Sequence, residues 1–482
     1  SPDPGAHGFV AAMSASVAAA PERTARRLRL RPSKDARLLR GRRPPGPGTS
    51  PFGNLRRFGR DPIAWLQRVR RFGDVAFFWM GPFDVYLVSD PELIKEVLVT
   101  NHRRYMKGQG LQEAKRLLGD GLLTSEGEFH RRQRRLVQPA FHRSRVDGYS
   151  RVMVDYADGR RSRWRDGQVV DVHREMNELT LAIVGKTLFD ADVEGADARR
   201  VRDSLAAALE LFDRLTSPLA PLVDLLPLPS VRRFNRARAA LDGIIFGMIE
   251  DRRAIGEDRG DLLSMLLAAQ DEEGDDGVMT DRQVRDEATT LFLAGHETTA
   301  NALSWTWYLL SQYPEAEAKL HAELASVLGD RLPSVEDLPS LRYTRMVLSE
   351  ALRLYPPAWV LGRRALDPHE LGGWTIPAGG TVLMCQYLVH HDPRWYPDPY
   401  RFDPERWTEG AEAARPKFAY FPFGGGPRLC IGESFAWMEG ALVLAAMAAR
   451  WRLRLVPDQQ IALHPRITLR PRSGLLMRLE RN

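Results

Sequence analysis

Cysteine is almost missing from this chain: Cys385 and Cys430 are the only two among 482 residues. So few thiols exclude a disulfide framework and any zinc site built on paired cysteines, and a working free thiol suits a reducing compartment such as the cytoplasm. Lysine is scarce as well. Only seven of the 69 basic residues are Lys, an arginine bias that reads as GC-rich coding more than as chemistry. No run approaches about 18 uninterrupted apolar residues, so no membrane span is expected. After residue 50 there is no low-complexity stretch and no internal repeat, which excludes solenoid and linker architectures.

The net charge of +7 and the pI of about 9.5 invite a nucleic-acid reading. The excess is confined to residues 1–45, which hold ten Lys or Arg against three Asp or Glu. The remainder carries 59 residues of each sign, and a neutral body argues against nucleic acid as a partner. Residues 1–42 lack any apolar periodicity and are expected to form a basic, disordered tail. Residues 8–20 are small and apolar, but no Lys or Arg precedes them, so a secretory signal is not expected. Length alone favours two domains. No linker divides residues 43–482, however, and a single domain around a large prosthetic group is the expectation.

Helical patterning dominates: residues 91–99, 131–137, 180–188, 232–253 and 262–270 carry it. Short β-like runs stand at 75–80 and 85–88 and again around 371–388. The longest helix is expected over 281–313, entered through the capping box Thr280-Asp-Arg-Gln283 and stopped by Pro314. The fold class is therefore mainly α with a small β portion.

Chemistry concentrates in Phe423-Gly-Gly-Gly-Pro-Arg-Leu-Cys-Ile-Gly432. Cys430 follows a glycine-rich turn and precedes a helical run. Backbone N–H groups and the positive helix end are expected to stabilise an anionic sulfur there. Gly424 to Gly426 are expected to let a flat cofactor approach the backbone. Arg428 is expected to pair with a cofactor carboxylate. Ala294-Gly-His-Glu-Thr-Thr299 interrupts the apolar middle of the long helix with an acid and two hydroxyls, costly to bury without a task. Gly295 is expected to allow a bulge there, and the bland alternative is threonines bonding back to helix carbonyls. Glu350 and Arg353 share one helix face, as do His130 and Arg134. Cys385 lies in an apolar strand-like run and reads as a core residue.

The pattern F-x-x-G-x-R-x-C-x-G resembles the haem-binding signature of the cytochrome P450 family, and the resemblance extends along the chain. It implies the cytochrome P450 fold, haem b as cofactor, and Cys430 as the iron ligand, with Phe423, Arg428 and Gly432 in the cofactor loop. It implies that Glu297 and Thr298 form an acid–alcohol pair for proton delivery to O2. It implies that Glu350 and Arg353, completed by Arg406 in Phe402-Asp-Pro-Glu-Arg-Trp407, form a structural ion-pair triad. Haem carboxylates would be met by His130, where the family often has Trp, by Arg134, and by Arg364, with Arg363 an adjacent alternative. The expected activity is a monooxygenase acting on a hydrophobic small molecule: a fatty acid, terpenoid or carotenoid. No flavin or iron–sulfur domain is expected within these 482 residues, so electrons are expected from a ferredoxin or flavodoxin with its reductase. A pocket is expected from residues 105–118, 209–226, 291–298, 358–361 and 473–475, with 209–226 as a lid. A peroxide-driven or lipid-rearranging haem-thiolate enzyme is the alternative, disfavoured by the intact Glu297-Thr298. A cysteine hydrolase using His390 or His391 leaves Arg428, Glu297-Thr298 and Arg406 unexplained, and a phosphate loop would want a Lys-Ser/Thr pair.

Overall fold

The computed structural model describes residues 42–48, 51–190, 229–256, 259–269 and 279–482. The expected tail (apart from Arg42) and the expected lid at 209–226 lie outside the described residues. From Arg43 onward the chain clusters into one compact unit.

The main helices are α1 (Pro51–Arg60), α2 (Pro62–Arg70), α3 (Gly127–Val137), α4 (Arg143–Arg161), α5 (Val172–Phe189), α6 (Pro229–Ile255), α7 (Asp281–Gln312), α8 (Pro314–Leu328), α9 (Arg342–Leu354) and α10 (Glu433–Ala448). Helix α7 is the organising rod, 32 residues long, or about 48 Å at 1.5 Å per residue. Thr280 and Gln283 make the reciprocal capping box at its start, and Tyr313 ends it before Pro314. Most of its residues are buried, polar ones included, so it runs through the core and not along the surface. Helices α1, α2, α4 and α8 have no counterpart among the expected elements. Arg143–Arg161 is rich in arginine and aspartate, which hides its apolar face. Pro314 both stops α7 and opens α8, as proline can at a first helical turn.

The β portion is small. Strands β1 (Val75–Met80), β2 (Phe83–Val88), β3 (Tyr105–Lys107), β5 (Leu361–Ala365) and β8 (Thr381–Met384) form one sheet in the order β1-β2-β8-β5-β3. Between them come β4 (Val169–Asp171), β6 (His369–Leu371) and β7 (Trp374–Ile376). The chain closes with β9 (Trp451–Leu455), β10 (Leu463–Pro465), β11 (Leu469–Pro471) and β12 (Leu476–Arg481). Alternation divides the large sheet into two buried faces: Val75, Phe77, Tyr86 and Val88 enter one cluster, and Ala76, Phe78, Val85 and Leu87 the other. At its edge, β3 pairs antiparallel with β5 so that Lys107 stands opposite Arg363 and Met106 opposite Arg364.

A loop docks on α7 and fixes where α3 begins. The backbone N–H groups of Asp120 and Leu122 donate to the carboxylates of Asp286 and Glu287 at 2.9 Å each. Helix α3 starts five residues after Leu122, so its His130–Arg134 face is set by this anchorage.

Candidate active site

The Cys430 loop is closed by its own backbone. The Cys430 N–H donates to the Phe423 carbonyl at 3.1 Å, and the Phe423 ring leans on Trp437 with centroids 5.6 Å apart. Gly432 contributes through its backbone N–H, which faces the sulfur. Its φ of −90° is open to any residue.

Two glycines of the run are needed for packing within the protein. A Cβ on Gly426 would stand 2.0 Å from the Leu98 carbonyl oxygen, and one on Gly425 would stand 2.5 Å from the Phe418 ring. Gly426 also has φ +68°, which disfavours a side chain. Gly425 and Gly426 let the loop press against Phe418 and Leu98.

Cys430 is exposed as a residue, whereas Cys385 is fully buried and spends its thiol on the Trp359 carbonyl at 3.3 Å. The residue is solvent-accessible, yet its thiol is crowded by protein, and the Gly432 N–H and Arg134 favour the anion there as the helix start would. Burial, aided by the Glu433 carboxylate, outweighs the Gly432 N–H and Arg134 and pushes the thiol up to about 11. A metal cation would reverse that balance, since a coordinated thiol is deprotonated outright.

Cations gather beside the loop. Arg134 donates to the Leu429 carbonyl at 2.8 Å, directly before the cysteine. His130 is buried, and burial together with Lys107, Arg428 and Arg134 holds it down to about 3, so it is neutral. Lys107 is 4 % exposed and its ammonium donates to the carbonyls of Leu122 and Ser125 at 2.6 and 2.8 Å. Burial, Arg428 and Arg363 lower it to about 7. Arg363 is held down to about 10 by burial and by Arg428. Arg364 does not join this group. It projects from the opposite face of β5, and its guanidinium lies near Gly379. Alternation along the strand is the reason: only the residue opposite Lys107 shares its face. Sequence reading therefore missed Lys107, and of its two candidates it is Arg363, not Arg364, that stands with the cluster. The two-residue strand period was the available signal, but the β3–β5 register is a long-range fact.

Arg428 pairs with Glu126 through Nη2, and its Nη1 is buried without a partner. An orphaned guanidinium nitrogen among further cations fits a group that brings carboxylates. The donor set also fits haem in having one accessible thiol, and no other clusters of His, Cys, Asp or Glu among the described residues suit a metal.

On α7, Ala294 is exposed although it sits midway along a buried rod, and Gly295 and Thr298 are half-exposed. Space therefore reaches the middle of the helix. The helix does not bulge at Gly295. A Cβ there would lie 3.1 Å from the Val184 side chain, so the glycine serves the close approach of α5. The Thr298 hydroxyl donates back to the Ala294 carbonyl at 2.7 Å, and that of Thr299 to Gly295 at 3.2 Å. Glu297 is buried and faces elsewhere: it accepts the Thr468 hydroxyl at 2.7 Å, with Arg470 at 4.0 Å. No hydrogen bond joins Glu297 to Thr298 among the described residues. Neighbouring helix positions point about 100° apart, which separates the two groups.

Glu350, Arg353 and Arg406 do converge. Arg353 forks onto both oxygens of Glu350 at 2.8 and 2.7 Å, and Arg406 approaches the same carboxylate at 3.3 Å. Arg353 also donates to the carbonyls of His390, Pro399 and Arg401, while Glu350 accepts from the Asp403 N–H and the Trp407 indole. Both charges are wholly buried, and every oxygen is satisfied. His390 accepts the Phe421 N–H at 3.0 Å and His391 Nδ1 meets the Tyr387 carbonyl, and neither is among the groups that act on the Cys430 thiol, which leaves the hydrolase alternative without a base at its sulfur.

The family model for cytochrome P450 matches residues 44–477. Among curated relatives, cyclooctatin synthase of Streptomyces melanosporofaciens is 42 % identical over 92 % of this chain and 96 % of that protein. Cyclooctat-9-en-7-ol 5-monooxygenase of the same species is 40 % identical over 85 % and 89 %. Pentalenene oxygenase of Streptomyces avermitilis is 36 % identical over 86 % and 92 %. With the thiol loop, the cationic cradle and the long central helix already in place, these matches settle the affiliation: the chain belongs to the cytochrome P450 family and is a haem b monooxygenase.

Proposed function

We propose that the enzyme hydroxylates a terpenoid, a large olefinic hydrocarbon skeleton with few oxygens. The observation that carries this substrate class is the names of its relatives, one acting on pentalenene and one on cyclooctat-9-en-7-ol at position 5. The apolar run Leu291–Leu293 leading to the opening at Ala294 supports a hydrophobic guest.

Bound haem b supplies the redox chemistry that splits O2, placing one oxygen atom in a C–H bond and releasing the other as water. The chain's own residues set the conditions. With haem bound, Cys430 would ligate the iron through its sulfur, and Arg428, Arg363, Lys107 and Arg134 would meet the carboxylates, with neutral His130 as a hydrogen-bonding partner. Glu350, Arg353 and Arg406 hold the segment that leads to the cysteine loop. Thr298 faces the space beside Ala294 and hands on protons there, after Glu297 takes them up beside Thr468 and Arg470. Because both hydroxyl and carboxylate are committed elsewhere, each must rotate, or share a water, for the transfer.

Electrons come from a separate partner, a ferredoxin or flavodoxin with its reductase, in the cytoplasm. Titrating purified enzyme with candidate terpenoids, while recording the spin-state change of the haem spectrum and then the product mass, tests the substrate class. Fatty acids shifting the spectrum where terpenoids do not would overturn it.

A further inference from the structure

One carboxylate stands inside the cationic cluster, and the cofactor contacts give it no task. Glu126 directs one oxygen at Arg428 Nη2; its other oxygen accepts the Lys107 backbone N–H at 2.7 Å and the Gln112 amide at 3.2 Å. It precedes α3 in the capping position, yet its side chain caps nothing. Helix capping therefore does not account for it.

Its electrostatic setting is one-sided. Burial alone would raise its carboxyl, but Arg428 and the Lys107 N–H outweigh that and hold it low, hence ionised. Arg428 is surrounded by like charge from Lys107 and Arg363, and Glu126 is the carboxylate it meets among the described residues. A guanidinium is a rigid planar fork, so fixing one arm fixes the direction of the other. The other arm is the buried, unpartnered Nη1. Freed of Glu126, Arg428 would be pushed away from its cationic neighbours and its aim would be lost.

We propose that Glu126 is a positioning residue for cofactor retention: it clamps Arg428 by one nitrogen and thereby points the second at a haem carboxylate. The residue acts through Arg428 and touches no reacting atom. It also ties that aim to β3 and to the 109–113 turn, two segments about 300 residues from the cysteine loop, so the cradle is assembled before cofactor enters. The inference rests on Arg428 being a haem-carboxylate partner.

The test is the rate at which holoprotein surrenders haem to excess haem-scavenging apoglobin, followed by loss of the visible spectrum. Wild type, E126A, R428L and the double variant form a cycle, with E126Q alongside. R428L should release haem about ten-fold faster or more, and E126A somewhat less. The double variant should be no faster than R428L, and E126Q should fall between wild type and E126A. Multiplying effects in the double variant, or an E126A rate equal to wild type, would overturn the clamp while leaving Arg428 in its role. An unchanged rate in R428L would overturn the Arg428 assignment itself. If E126A or R428L does not accumulate as holoprotein, E126Q, R428K and their double variant carry the same cycle, with the same outcomes.

Discussion

Single residues in this protein are defined by what burial leaves them to do. Glu439 on α10 is wholly buried, and neither carboxyl oxygen has a hydrogen-bond partner. Its polar neighbour Thr299 already gives its proton to the Gly295 carbonyl, so Glu439 is stable there only as the neutral acid. Burial raises it from an ordinary 4.5 to about 8. The folded state therefore keeps a proton that the unfolded chain gives up, and stability falls by about 1.4 kcal/mol per pH unit between those two values. Glu439→Gln removes this loss. Its thermal midpoint relative to wild type should rise from pH 5 to pH 8 and level off above; a difference independent of pH would show the acid to be ionised. At Thr298, the same logic makes the hydroxyl the exposed member of its pair. Thr298→Ala should lower product formed per reductant consumed by about ten-fold or more, and unchanged coupling would remove Thr298 from proton handling.

At the scale of elements, two joints hold the thiol loop. The first is α9 against residues 390–407, made by the fully buried Glu350–Arg353 fork. Arg353→Ala takes the fork from the buried Glu350 carboxylate and the donor from three carbonyls, at a cost of about 3–5 kcal/mol. Urea unfolding should register that loss together with a reduced haem content, and an unaltered midpoint would mean that the pair is incidental. The second joint is the contact of Gly426 with Leu98. Alanine there meets both an unfavourable φ and a backbone oxygen, so Gly426→Ala should cost about 1–3 kcal/mol and loosen haem. Gly424 lacks that clash, since its built Cβ makes ordinary contact with Leu361 at 3.5 Å.

Across the whole molecule, what the sequence revealed was local and what it hid was long-range. The α7 ends were legible because Thr280, Gln283 and Pro314 are signals within one helical turn. Cys430 was legible because its loop is contiguous. Glu350 and Arg353 share a face by spacing alone. Glu126 and Arg428 lie 302 residues apart, and the choice of Arg363 over Arg364 depends on the β3–β5 register; no local pattern announces either. Helix α4 was hidden by its arginines and aspartates. The net upward push on the Cys430 thiol was hidden because N–H contacts are local, whereas the crowding that opposes them is a property of the entire fold. The central claim remains that the sulfur of Cys430 binds haem iron. Its most direct test is the visible spectrum of the reduced, carbon monoxide-bound protein, wild type beside Cys430→Ser. Thiolate ligation predicts the red-shifted band in wild type and its loss in the serine variant; a wild-type spectrum without that band, or a serine variant that keeps it, would contradict the claim.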